Sequence, residues 1–171
     1  RAVNYERGSL SVQGGYISTS SFTVSPVYIN NDASGFTSKI SFRGVEFRNN
    51  GVANTRMIQQ VSNANTTNLE MTIADNQFFT YPSLTQTVPA VDIQQTGGGS
   101  ARLVFSGNAF SGLGATHTGT ALRIVQDDFH SISGNAMPYV SGTQGWVASF
   151  PATKTYGQYQ DVLGNFWNLK T

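Results

Sequence analysis

An eight-residue window recurs six times along the chain at intervals of about thirty residues, and no other feature restricts the fold as tightly. The copies span residues 10–17, 40–47, 71–78, 103–110, 130–137 and 160–167, and they align without a gap. Their third column holds Val12, Phe42, Ile73, Phe105, Ile132 and Val162, with steps of 30, 31, 32, 27 and 30 residues. The last column, Ile17, Phe47, Phe78, Phe110, Met137 and Trp167, is again apolar and large. Between them the fifth column reads Gly14, Gly44, Asp75, Gly107, Gly134 and Gly164, and the sixth carries Asn76, Asn108, Asn135 and Asn165. Gly, Asp and Asn tolerate left-handed backbone geometry, so each window predicts a short strand, a sharp bend and a second short strand.

A further strand follows each window. The segments are Val27-Tyr-Ile29, Met57-Ile58 through Val61, Val91-Asp-Ile93, Leu122-Arg-Ile124 and, less regularly, Trp146 to Phe150. Apolar residues alternate with period two, and no segment longer than a turn has helical spacing. Strands this short cannot bury an apolar face alone, whereas coils stacked at about 4.8 Å can. The expected fold is therefore all-β: one domain over residues 1–171, a parallel β-solenoid of about six coils of 27–32 residues, with residues 1–8 capping the first. The start at Arg1 has neither an initiator Met nor a signal-peptide h-region, so the chain reads as a mature product or an excised piece of a longer one, and the last window ends so close to Thr171 that the chain is expected to continue or another protomer to cover that end.

The 171 residues include 18 Ser, 18 Thr, 14 Asn and 11 Gln, against ten basic and nine acidic residues. A net charge of +1 argues against a nucleic-acid or polybasic membrane partner. No apolar run approaches the roughly 18 residues of a membrane span. Without cysteine there is neither a disulfide framework nor a thiolate metal site. The two histidines, His117 and His130, have no carboxylate at ligand spacing, so no metal or cofactor is expected. Gly97-Gly98-Gly99 lacks the Lys-Ser/Thr of a phosphate loop and reads as a turn.

The order of a turn with Asp127-Asp128, a strand from Ser131 to Ser133, a Gly134-Asn135 bend and a strand from Ala136 to Val140 resembles the right-handed parallel β-helix of the pectate-lyase superfamily. That resemblance implies an internal ladder of bend asparagines: Asn76, Asn108, Asn135 and Asn165. Stacked amides satisfy one another and the bend backbone, which favours the scaffold over a sugar-binding row. The Ser/Thr/Asn/Gln-rich surface and uneven coil lengths make the chain most similar, within that superfamily, to a bacteriophage tailspike or tail-fibre segment. Such a likeness implies a homotrimer on the virion tail, or otherwise at a cell surface, that binds bacterial surface polysaccharide.

The candidate residues follow from that expectation. Cleavage of a glycosidic bond takes two carboxylates about 5 to 9.5 Å apart. The catalytic candidates are Asp127 and Asp128, neighbours in one turn, and Asp92, which stacks beside Arg123 if Ile93 and Ile124 share a column. Read outward, Asp92 and Arg123 form an exposed pair able to hold a sugar acid, or an ordinary surface ion pair. Glu46 and Glu70 have no evident partner. Carbohydrate sites combine aromatic faces with amide and hydroxyl donors, and the connections after the third strand supply Phe79, Tyr81, Tyr139, Gln144, Trp146 and Tyr156. Those residues would line one edge of the solenoid and meet either sugar or a neighbouring protomer. Glycan recognition is the leading expectation. The rivals are a polysaccharide depolymerase, hydrolase or lyase, and a structural shaft or surface adhesin.

Overall fold

Alternating side chains of period two separate an inward and an outward face, and the residues between them decide where the chain turns. In the computed structural model, the described residues are 2–6, 8–19, 24–31, 36–62, 68–81, 84–95, 100–111, 121–125, 129–137, 159–163 and 166–167. They form strands in groups of three. The first group is β1 (Val3–Tyr5), β2 (Ser9–Gln13) and β3 (Tyr16–Thr19); the second is β4 (Val27–Asn30), β5 (Thr37–Arg43) and β6 (Glu46–Asn49). The third is β7 (Ile58–Ser62), β8 (Asn68–Ala74) and β9 (Gln77–Thr80); the fourth is β10 (Val91–Gln95), β11 (Ala101–Ser106) and β12 (Ala109–Ser111). The fifth is β13 (Leu122–Val125), β14 (Phe129–Ser133) and β15 (Ala136–Met137), and β16 (Tyr159–Leu163) and β17 (Phe166–Trp167) follow. No helix occurs among the described residues.

Each strand pairs with its equivalent one repeat away, and every such pairing is parallel. Three sheets result: β1-β4-β7-β10-β13, β2-β5-β8-β11-β14-β16 and β3-β6-β9-β12-β15-β17. The chain visits them in rotation. Register matches the sequence repeat residue for residue, with Val12 opposite Phe42, Phe42 opposite Ile73, Ile73 opposite Phe105, Phe105 opposite Ile132 and Ile132 opposite Val162.

The inward columns make one core. Phe47, Phe78 and Phe110 stack almost parallel, with centroids 4.8 and 4.7 Å apart, the rise of one strand to the next. The bend between the second and third sheets has a positive φ at Gly14, Gly44, Asp75, Gly107 and Gly134. At the last four of these bends the next residue points inward. Asn76, Asn108 and Asn135 are buried there. Asn76 Nδ2 donates to Asn108 Oδ1 and Asn108 Nδ2 to Asn135 Oδ1, each at 3.0 Å. Each amide also donates to a carbonyl, of Phe42, Ile73 and Phe105 respectively. Val45 has no amide in this column, yet its N–H donates to Asn76 Oδ1 at 2.9 Å. Asn165 lies outside the described residues.

One inward column departs from the expected apolar alternation. Gln60 stands between Ile29 and Ile93 and is fully buried. Its Nε2 donates to Asn31 Oδ1 at 2.6 Å and its Oε1 accepts from the Gln94 N–H at 2.9 Å, which satisfies a polar group that would otherwise be costly in the core.

Candidate functional site

The outer face of the third sheet brings aromatic, ionic and amide side chains together. Tyr16 lies opposite Glu46, and Arg48 lies opposite Phe79. Residues two apart on a strand share a face, so Glu46 and Arg48 meet: Nε donates to Oε1 at 2.7 Å and Nη2 to Oε2 at 2.9 Å. The guanidinium also lies over the Tyr16 ring, 5.7 Å from its centroid. Its hydrogen bonds hold the Glu46 carboxyl below the usual carboxylate range, and the same contact raises the Arg48 guanidinium.

The ladder runs past the strand ends. Asn50 N–H donates to Thr19 O at 2.9 Å and Tyr81 N–H to Asn49 O at 3.1 Å, so Asn50 and Tyr81 are set beside each other. Tyr81 meets Phe79 edge to face with centroids 5.9 Å apart. Glu46, Arg48, Asn50, Phe79 and Tyr81 line an open groove of about 590 Å³. Two aromatic rings beside it stand well out of the surface, Tyr16 at 70% and Tyr81 at 51% exposure.

The rim is fastened. Asn49 Nδ2 donates to Val52 O at 2.7 Å, and Asn49 Oδ1 accepts from the Val52 N–H and the Thr19 hydroxyl. The segment after Asn50 is tied to the equivalent segment one repeat on. Thr55 N–H donates to Gln86 Oε1, Gln86 Nε2 to Val52 O, and Thr87 N–H to Asn54 Oδ1. A surface ordered before a ligand arrives loses less entropy on binding.

A second depression, of about 390 Å³, lies on the outer face of the second sheet. Its lining includes hydroxyls from Ser9, Ser11, Ser41 and Thr72, together with Lys39 and Glu70, whose side chains meet at 3.6 Å across adjacent strands. It has no aromatic lining residue, so the groove on the third sheet is the better candidate for sugar.

Asp92 corrects an expectation. It is opposite Arg123, as the repeat implies, but its side chain is 0% exposed rather than presented to solvent. Arg123 Nε donates to Oδ1 at 2.7 Å and Nη2 to Oδ2 at 2.6 Å, while Arg56 Nε and Gln94 Nε2 donate to Oδ2 at 2.6 and 2.7 Å. The physical reason is the second guanidinium, which comes from just before β7 and closes over the carboxylate. Both oxygens are engaged in hydrogen bonds within the protein. Arg123 stands on the first sheet, away from the lining of the groove, with Nε and Nη2 committed to Asp92.

Of the other sequence candidates, Phe79 and Tyr81 are in the groove. Asp127, Asp128, Tyr139, Gln144, Trp146 and Tyr156 lie outside the described residues. Sequence reasoning missed Glu46, Arg48 and Asn50. The signal was present for the first two, because Glu-x-Arg on a strand puts opposite charges on one face. Among the described residues no cluster of three His, Asp or Glu side chains could hold a metal ion. In comparisons with known proteins, the chain matches no family model, no curated protein and no solved structure.

Proposed function

We propose that this chain is a right-handed parallel β-helix segment of the phage tailspike or tail-fibre type, which binds bacterial surface polysaccharide along the outer face of its third sheet. The β-helix reading is supported by three all-parallel sheets visited in rotation and by their residue-for-residue register. The tailspike reading draws on the resemblance in repeat and composition, and with it comes assembly as a homotrimer.

The observation that carries the binding reading is the groove at Tyr81. The exposed ring of Tyr81 offers a face to sugar C–H surfaces, with Phe79 beside it, and Glu46, Arg48 and Asn50 offer acceptors and donors in the same lining. Binding is favoured over cleavage because, among the described residues, the groove lining contains one carboxylate, Glu46, and Arg48 already engages it. Hydrolysis by the usual route takes two.

The test is an array of capsular and O-antigen polysaccharides probed with the 171-residue chain and with Tyr81→Ala, alongside sedimentation of the unbound protein. Expected are binding to a subset of glycans, a loss of roughly tenfold in Tyr81→Ala from the lost ring contact, and a trimer. Failure to bind any glycan, or binding indifferent to Tyr81, overturns the groove reading. Release of reducing ends or unsaturated sugars would replace it with the depolymerase.

A further inference from the structure

The charge of the groove points to the class of sugar it takes. Among the described residues its lining holds one carboxylate and one guanidinium, and these neutralise each other through two hydrogen bonds. A guanidinium has five N–H donors and an ionised carboxylate about four acceptor sites. With two of each engaged, Arg48 retains three donors and Glu46 two acceptor sites, side by side on one face. Asn50 adds an amide at the same opening.

A hydroxyl group both donates and accepts. Two neighbouring hydroxyls on one sugar ring can therefore bridge the pair, one donating to Glu46 and the other accepting from Arg48, without separating the ions. A sugar carboxylate only accepts. It can reach the remaining Arg48 donors on the free edge of the guanidinium only close to the Glu46 carboxylate, where like charges repel, or by displacing Glu46 from a two-point contact. We infer that the groove selects uncharged, hydroxyl-rich sugars over uronates and other carboxylated sugars, with the Glu46–Arg48 pair as the discriminating element.

This inference rests on the groove reading, and it has its own signature. Glu46→Gln removes the repulsion and frees the Arg48 charge, so the preference should move toward acidic sugars. A purely structural pair would instead lower binding of both classes together. Both residues are on the outer face of β6, whose inward residues are Phe47 and Asn49, so the substitution leaves the inward columns intact.

The experiment is calorimetric titration of the 171-residue chain and Glu46→Gln with oligomers of glucose, galactose and rhamnose, and with oligomers of glucuronate and galacturonate. The wild-type chain is expected to bind a neutral oligomer roughly tenfold more tightly than its uronate counterpart. Its affinity for the neutral oligomer should be nearly unchanged between low and moderate salt. In Glu46→Gln the ratio should narrow or invert. Equal or tighter uronate binding by the wild type, or an unchanged ratio in Glu46→Gln, overturns the inference while leaving a glycan groove. Absence of binding to either class, with Tyr81→Ala no different, removes the groove reading as well.

Discussion

The side-chain amide of Asn76 donates to Asn108 Oδ1 at 3.0 Å, and the backbone N–H of Asn76 donates to the same oxygen at 3.1 Å. One buried oxygen thus joins two repeats 32 residues apart. Replacing Asn108 by Ala would strand the Asn76 backbone N–H, one of the two Asn76 side-chain N–H groups, and the Ile73 carbonyl that accepts from Asn108 Nδ2 at 2.9 Å. Each buried group left unpaired costs about 1–3 kcal/mol, so Asn108→Ala should lose about 3 kcal/mol or more. Denaturant unfolding, followed by far-ultraviolet circular dichroism, measures it.

Gly107 should be the least replaceable bend residue among the described ones. Its φ is +62°, and an added Cβ would run into Asp75 Oδ1 of the preceding bend. Gly107→Ala should cost about 1–3 kcal/mol from backbone strain and crowding together. The crowding can be separated from the strain. In an Asp75→Gly background the added methyl meets no carboxylate, so the two substitutions should be non-additive and the double variant less damaged than the sum.

These two positions show how much of the molecule could be read from the sequence. The six windows align in register because the fold repeats: an inward residue at Val12 has its next equivalents at Phe42 and Ile73, so the core and the asparagine column are periodic and legible. What escaped was aperiodic. Gln60 is inward because Asn31 and the Gln94 N–H satisfy it, partners 29 and 34 residues away that no alternation reveals. Asp92 is closed off because Arg56 reaches it from outside the strand register, 36 residues earlier. Arg123, in register, was foreseen. The groove was placed along the connecting segments from their aromatics, whereas its charged pair lies on β6 and needed a face-by-face reading of Glu46 and Arg48.

Asp92 should behave as scaffold. Asp92→Asn leaves two guanidiniums without their carboxylate. The cost should be about 2 kcal/mol, below the 3–5 of a fully buried pair, because Arg56 and Arg123 retain 27% and 33% exposure. Thermal unfolding checks the loss. Glycan affinity, measured well below the melting temperature, should be unchanged, since neither Asp92 nor Arg123 lines the groove. An affinity loss larger than threefold would return the first sheet to the site.

The pH dependence follows from Glu46. Its carboxyl is held below its ordinary value of 4.5, first by the Arg48 hydrogen bonds. A depressed carboxylate contributes to folding above its unfolded pKa, and the contribution is lost as pH falls through the folded one. Neutral-glycan affinity should therefore stay level from pH 7 down through 4.5 and fall only below it. Glu46→Gln should show no such acid limb. Titrations at stepped pH, with folding monitored in parallel, resolve the two profiles.

The most direct test is to titrate the ¹⁵N-labelled chain with the best-binding polysaccharide fragment and map the amide shifts. Sugar held in the groove should shift Tyr16, Glu46, Arg48, Asn50, Phe79 and Tyr81 most, with the Asn76–Asn108–Asn135 column and Asp92 nearly still. Shifts concentrated on the first or second sheet, with Tyr81 and its neighbours unmoved, would contradict it.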